Sequence, residues 1–259
     1  MHDNAGLKAV ILAAGEGTRL RPYTLDRPKC LVEVDGRSLL DRQLSVLAAE
    51  DVRRVIVLGG YRAEMLKRPG INLRVNPRYA ETNMVWTLFC AEDELSGDAI
   101  VAYGDIVYSR EVLKAVKASK ANIAVAIDRD WESYWRARNE NPLDDAETLR
   151  LGPDGQILEI GQKPRSLAEI EGQYMGLLKF SAKGMDILKA VFHDARLHGQ
   201  LRGKTLEKAY MTDLLQEIID RGYRVDAVPV HGGWVEIDTV SDHLSAVTRN
   251  RLSQIASSI

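Results

Sequence analysis

The sequence predicts an α/β fold built on a mostly parallel, doubly wound sheet, and three observations carry that prediction. Short continuous apolar runs recur along the chain, amphipathic stretches separate them, and glycine turns close several of them. A strand covered by helices on both faces reads as an unbroken apolar run rather than as an alternation. The 259 residues suffice for one large α/β domain or two small ones, and 45% hydrophobic residues exclude disorder as the main state. Lys+Arg number 35 and Asp+Glu 37, a net charge of −2, so no global field favours nucleic acid or a membrane surface.

The first element is Ala9-Val10-Ile11-Leu12-Ala13-Ala14, closed by Gly15, a buried strand. Ser38-Leu39-Leu40-Asp41 opens a helix with an N-cap and an acidic third position, after which Leu40, Leu44, Leu47 and Ala48 share a face. Val55 to Leu58 is the second buried strand. Gly59-Gly60 leaves it for a short helix ending near Pro69-Gly70, and Ile71, Leu73 and Val75 then alternate as a strand. Ile100 to Tyr103 is the next buried strand, followed by a helix with Val112, Leu113 and Val116 on one side, then by Ile123, Val125 and Ile127. From about Asp130 aromatics and carboxylates cluster. Leu149 and Leu151, the turn Gly152-Pro153-Asp154-Gly155, and Ile157, Leu158 and Ile160 predict an inserted β-hairpin lid. Gln173 to Phe180 reads as a strand, Gly184 to Phe192 and Thr205 to Ile219 as helices, and Val225 to Val230 as a strand.

No Pro/Gly/Ser-rich linker divides the chain, so one domain is expected, with a nucleotide-binding half at 1–128 and an acceptor-binding half at 129–259. The start, Met1-His2-Asp3-Asn4, and the short run Ala9 to Ala14 predict neither a signal peptide nor a membrane span. Cys30 and Cys90 sit beside apolar neighbours and read as core residues, which suits a reducing, cytoplasmic setting. The five histidines lack metal-ligand spacing, and His193 and His198 receive no role. Leu244 and Val247 can pack on the domain itself or on a partner, which leaves a homodimer open.

The segment richest in chemistry is Leu12-Ala13-Ala14-Gly15-Glu16-Gly17-Thr18-Arg19-Leu20-Arg21-Pro22, with Pro28-Lys29 beyond it. Small residues leaving a buried strand let backbone N–H groups approach phosphates, while Arg19 and Lys29 add positive charge. The Gly-Lys-Ser/Thr ending of a Walker loop is missing, and the third glycine of a dinucleotide fingerprint would be Leu20. This segment resembles the sugar-phosphate nucleotidyltransferase superfamily, whose signature reads Leu-Ala-x-Gly-x-Gly-Thr-Arg-Leu-x-Pro with a downstream Pro-Lys. The resemblance extends over almost the whole chain. It implies a Rossmann-like, GT-A-like doubly wound mixed sheet, a nucleoside triphosphate at the loop, and Mg²⁺ held by two aspartates. Tyr103-Gly104-Asp105 fits the first metal aspartate, at the C-terminal end of a parallel strand. Glu236-Ile237-Asp238-Thr239 fits the second, Asp238.

Tyr79 to Leu88, with Asn83 before an apolar helix, is similar to the cytidylyltransferase branch, which includes choline-phosphate enzymes. Asn141 to Leu149 and Gln173 to Phe180, with Tyr174, resemble phosphoglutamine and phosphonate cytidylyltransferases. Gly161-Gln162-Lys163-Pro164 stands where sugar-activating members have Glu-Lys-Pro. Lys163 is kept for the acceptor phosphate, but the glutamate that faces sugar hydroxyls is replaced. The resemblance thus implies Mg²⁺-dependent transfer of CMP from CTP to a small phosphorylated or phosphonate acceptor. Arg19 would bind the β/γ-phosphates and Lys29 the α-phosphate, with Leu12 to Thr18, Asn83, Tyr103 and Gly104 around the nucleotide. Trp131, Tyr134 and Trp135 with Glu132 form either an aromatic and acidic wall for an ammonium group or a small core of their own. Asp144, Asp145 and Glu147 either bind an amine or are a solvated acidic loop. Two other functions stay open: a sugar-1-phosphate nucleotidyltransferase using UTP, GTP or dTTP, and a non-catalytic nucleotide-binding regulatory subunit.

Overall fold

The computed structural model describes residues 6–257, so Met1-His2-Asp3-Asn4 lies outside the described residues. The strands of three or more residues are β1 (Lys8–Ala13), β2 (Arg54–Gly59), β3 (Ile71–Val75), β4 (Ala99–Tyr103), β5 (Ile106–Tyr108), β6 (Ile123–Asp128), β7 (Leu149–Leu151), β8 (Ile157–Ile160), β9 (Gln173–Phe180), β10 (Asp226–Val230) and β11 (Trp234–Glu236). The helices are α1 (Leu39–Ala49), α2 (Met84–Phe89), α3 (Arg110–Ala118), α4 (Trp131–Arg138), α5 (Ala182–His198), α6 (Met211–Asp220), α7 (Val240–Leu244) and α8 (Ala246–Ala256). Seven strands form the central sheet in the order β10-β6-β9-β4-β1-β2-β3. All neighbours are parallel except β9, which runs antiparallel to both β4 and β6. The sheet is therefore mixed.

Alternate residues of β1 feed different sides. Ala9, Ile11 and Ala13 pack with α1 and α3, while Val10 and Leu12 pack with α2, α5 and α6. Both faces are apolar, which is why the strands read as unbroken hydrophobic runs. No helix among the described residues is long and apolar enough to cross a membrane.

Ser38 caps α1 by accepting from Asp41 N. The buried face of α1 runs through Leu39, Leu40, Gln43, Val46 and Leu47, with Leu44 only partly covered and Ala48 exposed. The helix is thus turned slightly from the expected stripe, and Gln43 faces inward. The stretch after Gly59-Gly60 forms only a 3₁₀ turn, Ala63–Leu66. The helix expected from Thr205 begins at Met211, because Arg202 and Gly203, both at positive φ, turn a small hairpin that pairs Gln200–Leu201 with Lys204–Thr205. Helix α5 runs longer than expected, from its Ser181 cap to Gly199 in the left-handed region.

β7 and β8 form the expected antiparallel hairpin, but not as a cover. Leu149, Ile157 and Ile160 are buried against α6, and Ile160 N donates to Gln216 Oε1. Apolar residues on its inner side draw it into the core. Leu244 is exposed, and Val247 is partly covered by the chain's own core.

Candidate active site

Two adjoining hollows open at the C-terminal ends of β1 and β4, where open α/β sheets place ligands. Leu12 to Gly15, Asn83, Tyr103, Gly104 and Asp105 line the first. Arg19, Trp135, Glu147, Tyr174, Glu236 and Asp238 help line the second, and Tyr103 and Met84 border both.

The loop after β1 is built for close approach. Gly17 has φ +64°, and a Cβ there would stand 3.0 Å from Lys29 Cβ, so glycine is required both by the backbone and by its neighbour. Thr24 Oγ1 donates to Gly17 O at 2.9 Å and closes the loop. Across the cleft, Gly104 N donates to Leu12 O at 2.9 Å, and a side chain at 104 would strike that oxygen.

Asp105 and Asp238 are far apart in sequence, and a single ladder joins them. Strand β5 pairs antiparallel with β11, matching Ile106 to Glu236. Asp105 precedes one strand and Asp238 follows the other, so both stand at the same end of the ladder. Ile237 N donates to Asp105 O at 3.1 Å and fastens the two turns together. Gln43, wholly buried, donates through Nε2 to Tyr103 O and Ile106 O and so clamps the Asp105 turn from below.

Between the carboxylates sits Lys29. Its Nζ is 2.8 Å from Asp105 Oδ2 and 2.5 Å from Asp238 Oδ1. Burial opposes its charge, but Asp105 and Asp238, with Glu236 behind them, outweigh burial and hold its pKa above the ordinary lysine value. Arg19 pairs with the other oxygen of Asp238, and its side chain is largely exposed at the mouth. Asp105 Oδ1 is buried without a hydrogen-bond partner. Two hard carboxylate donors, one carrying an orphaned oxygen, fit a Mg²⁺-type cation that takes its remaining ligands from phosphates and water.

The second hollow is acidic, since Asp145, Glu147, Glu236 and Asp238 line it and Arg19 is the one cation among its lining residues. Burial, with Asp213 and Asp145 adding repulsion, pushes the Glu147 carboxyl up to about 7. Burial likewise pushes Glu236 up to about 7 despite Arg138, with Asp105 and Asp238 adding to the rise. Because the folded-state pKa of Glu147 lies above its unfolded value of 4.5, the folded chain binds more protons between the two values. Stability is then full below pH 4.5 and declines as pH rises through about 7. Glu147→Gln removes the charge and is expected to be more stable than the parent at pH 8, by up to about 3 kcal/mol, and equal to it at pH 4.5. Paired thermal melts at the two pH values check this, and parallel melting curves would refute it.

The sequence-predicted residues divide. Leu12 to Gly15, Lys29, Asn83, Tyr103, Gly104 and Asp105 come together around the first hollow, and Trp135, Glu147, Tyr174 and Asp238 around the second. Glu16, Gly17 and Thr18 lie on the loop beside Lys29, and Glu16 pairs with Arg21. Asn83 Nδ2 donates to Lys208 O and ties α2 to the segment before α6. The aromatics of α4 make their own core and present only one edge to the hollow. Tyr134 meets Trp135 and Trp234 edge-on at 5.6 Å, so Trp135 and Trp234 reach the wall. Trp131 is not brought in. It stands one turn before Trp135 on the same side of α4, packs on that ring, and borders a separate surface hollow with Glu132 at the start of the helix. Lys163 borders neither hollow, and its Nζ donates to the carbonyls of Leu143 and Asp144. Gln43, Glu236 and Trp234 were missed as site residues. Gln43 left one signal, a polar residue on an apolar helical stripe.

Residues 9–202 match the MobA-like NTP transferase domain family. The CTP:phosphoglutamine cytidylyltransferase of Campylobacter jejuni is 37% identical over 247 residues, covering 91% of this chain and 97% of that protein. The UTP–glucose-1-phosphate uridylyltransferase of Haloferax volcanii is 26% identical over 253 residues, covering 94% and 96%. The solved structure of the CTP:phosphocholine cytidylyltransferase from Streptococcus pneumoniae has the same fold, with a TM-score of 0.70 over 96% of this chain and 99% of that one, at 22% identity.

Proposed function

The chain belongs to the MobA-like NTP transferase domain family and is a nucleotidyltransferase, and from that premise we propose that it transfers CMP from CTP to a small phosphorylated or phosphonate acceptor bearing an ammonium group, with release of pyrophosphate. The 37% identity to a cytidylyltransferase along nearly both full lengths carries the reading. The four carboxylates of the second hollow favour a cationic acceptor over a neutral sugar, whose hydroxyls need paired donors and acceptors rather than net negative charge. Two unbridged cysteines suit a reducing, cytoplasmic compartment.

In this reading the first hollow takes the nucleoside, and the backbone of Gly15 to Thr18 faces the phosphates. Arg19 neutralises the departing β/γ-phosphates, and Lys29 meets the α-phosphate. Asp105 and Asp238 would hold Mg²⁺, which when bound supplies charge neutralisation at the phosphate oxygens. The acceptor's phosphoryl oxygen attacks the α-phosphorus in line and the bond to the pyrophosphate oxygen breaks, so no covalent enzyme intermediate is needed. Positioning two polyanions and neutralising their charge supplies most of the acceleration. Glu147 and Trp135 stand where they can meet the acceptor's ammonium end by charge and ring face.

The test is pyrophosphate release with Mg²⁺ over CTP, UTP, GTP, ATP and dTTP against phosphoglutamine, phosphocholine, aminoalkylphosphonates and hexose 1-phosphates. Signal confined to CTP with an ammonium-bearing acceptor is expected. Signal only with a hexose 1-phosphate would overturn the acceptor reading and favour the uridylyltransferase-like alternative. CTP binding with no pyrophosphate release from any acceptor would favour a regulatory subunit.

A further inference from the structure

The turn that carries Asp238 is held from both ends by one buried cation. Arg138, at the end of α4, has a side chain only 8% exposed. Its Nη1 donates to Glu236 Oε2 at 2.8 Å, two residues before Asp238. Its Nε and Nη2 donate to the two oxygens of Asp242, at 2.8 and 3.2 Å, beyond Asp238 in the first turn of α7. Asp242 is itself buried, and its Oδ2 accepts from Asp238 N at 3.1 Å, Thr239 N at 2.9 Å and Thr239 Oγ1 at 3.0 Å. The Asp238 backbone is thus bolted to a carboxylate that only Arg138 neutralises in this cluster. From that anchorage the Asp238 side chain reaches Lys29 and Arg19.

We infer that Arg138 and Asp242 are positioning residues that set the separation of Asp238 from Asp105, and through it the affinity of the carboxylate pair for a divalent cation. The inference rests on the reading of Asp238 as a metal-holding residue. Neither Arg138 nor Asp242 lines either hollow, and since Arg138 also lies over the Trp135 ring, 5.5 Å from its centroid, Asp242→Asn tests the turn without altering that contact directly. Second-layer hydrogen bonds to metal-holding groups commonly change metal affinity by about 10- to 100-fold.

The experiment compares Arg138→Met, Arg138→Lys, Asp242→Asn and Asp238→Asn. The Mg²⁺ concentration for half-maximal pyrophosphate release and the KM for CTP are measured, and the crystal structure of each folded variant is determined. Arg138→Met and Asp242→Asn are expected to raise the Mg²⁺ requirement by about 10-fold or more while KM for CTP stays unchanged, with the Asp238 carboxylate displaced from Lys29. Arg138→Lys, which keeps the charge but not the two-pronged grip, is expected to recover part of the loss. If Arg138→Met does not fold, the milder Arg138→Lys and Asp242→Asn carry the decision. An unchanged Mg²⁺ requirement and an unmoved Asp238 in a folded variant, beside an inactive Asp238→Asn, would overturn the positioning role alone. Asp238→Asn as active as the parent would overturn the metal reading and this proposal with it.

Discussion

Asp105→Asn is expected to lower turnover by about a thousand-fold or more, roughly 4 kcal/mol of barrier, while leaving the fold intact. The amide keeps the size of the side chain but gives up the negative charge. It also turns one acceptor oxygen into a donor, in a place where Asp105 Oδ1 is already buried without a partner. The turn survives because its clamps are made elsewhere, by Gln43 to the carbonyls of Tyr103 and Ile106 and by Ile237 N to the Asp105 carbonyl. Pyrophosphate release and a thermal melt, run on the same preparation, check both halves. Retention of more than about a tenth of the activity would remove Asp105 from the metal site.

Lys29→Met is expected to cost both turnover and stability. The ammonium lies between two carboxylates whose side chains are 24% and 14% exposed, so its removal leaves two poorly solvated negative charges facing each other. Breaking such a pair by deleting one partner costs up to about 3–5 kcal/mol when fully buried, and partial exposure here reduces this to about 2–3. Arg19 still meets Asp238 but leaves Asp105 without a cation. On the proposed reading turnover should fall by about 100-fold, near 3 kcal/mol, because the α-phosphate would lose its fixed positive neighbour. Mg²⁺ should then raise the melting temperature of Lys29→Met more than that of the parent, since a cation between the carboxylates replaces the missing ammonium. A variant as stable as the parent, with no added response to Mg²⁺, would contradict this account.

The strands and the loop were legible for a simple reason. A parallel strand buried on both faces must be apolar throughout, so β1, β2 and β4 announced themselves as runs, and the Gly17 turn with its neighbouring cations announced itself as a loop. The hairpin was also legible as a hairpin, from alternating apolar residues around Gly152-Pro153-Asp154-Gly155. Its place was not, because alternation shows which face is apolar but not which neighbour covers it. Here α6 covers it, and the expected lid is part of the core. Lys163 and Trp131 share that limit. Each belongs to a suggestive motif, yet where a side chain ends up depends on how its element is placed against the rest.

The sequence by itself determined the sheet strands, which depend on local composition, and it marked the glycine loop and both aspartates as candidates through motifs that resemble a family's and are read within a few residues. Only the tertiary structure decided that Asp105 and Asp238 share the end of one two-stranded ladder, that Lys29 stands between them, and that Arg138 and Asp242 hold the second of them. It also decided that Glu147 and Glu236 gather in one acidic hollow. Those facts belong to long-range pairing, whose register is set by which apolar faces bury against each other, and no short stretch of chain carries that information.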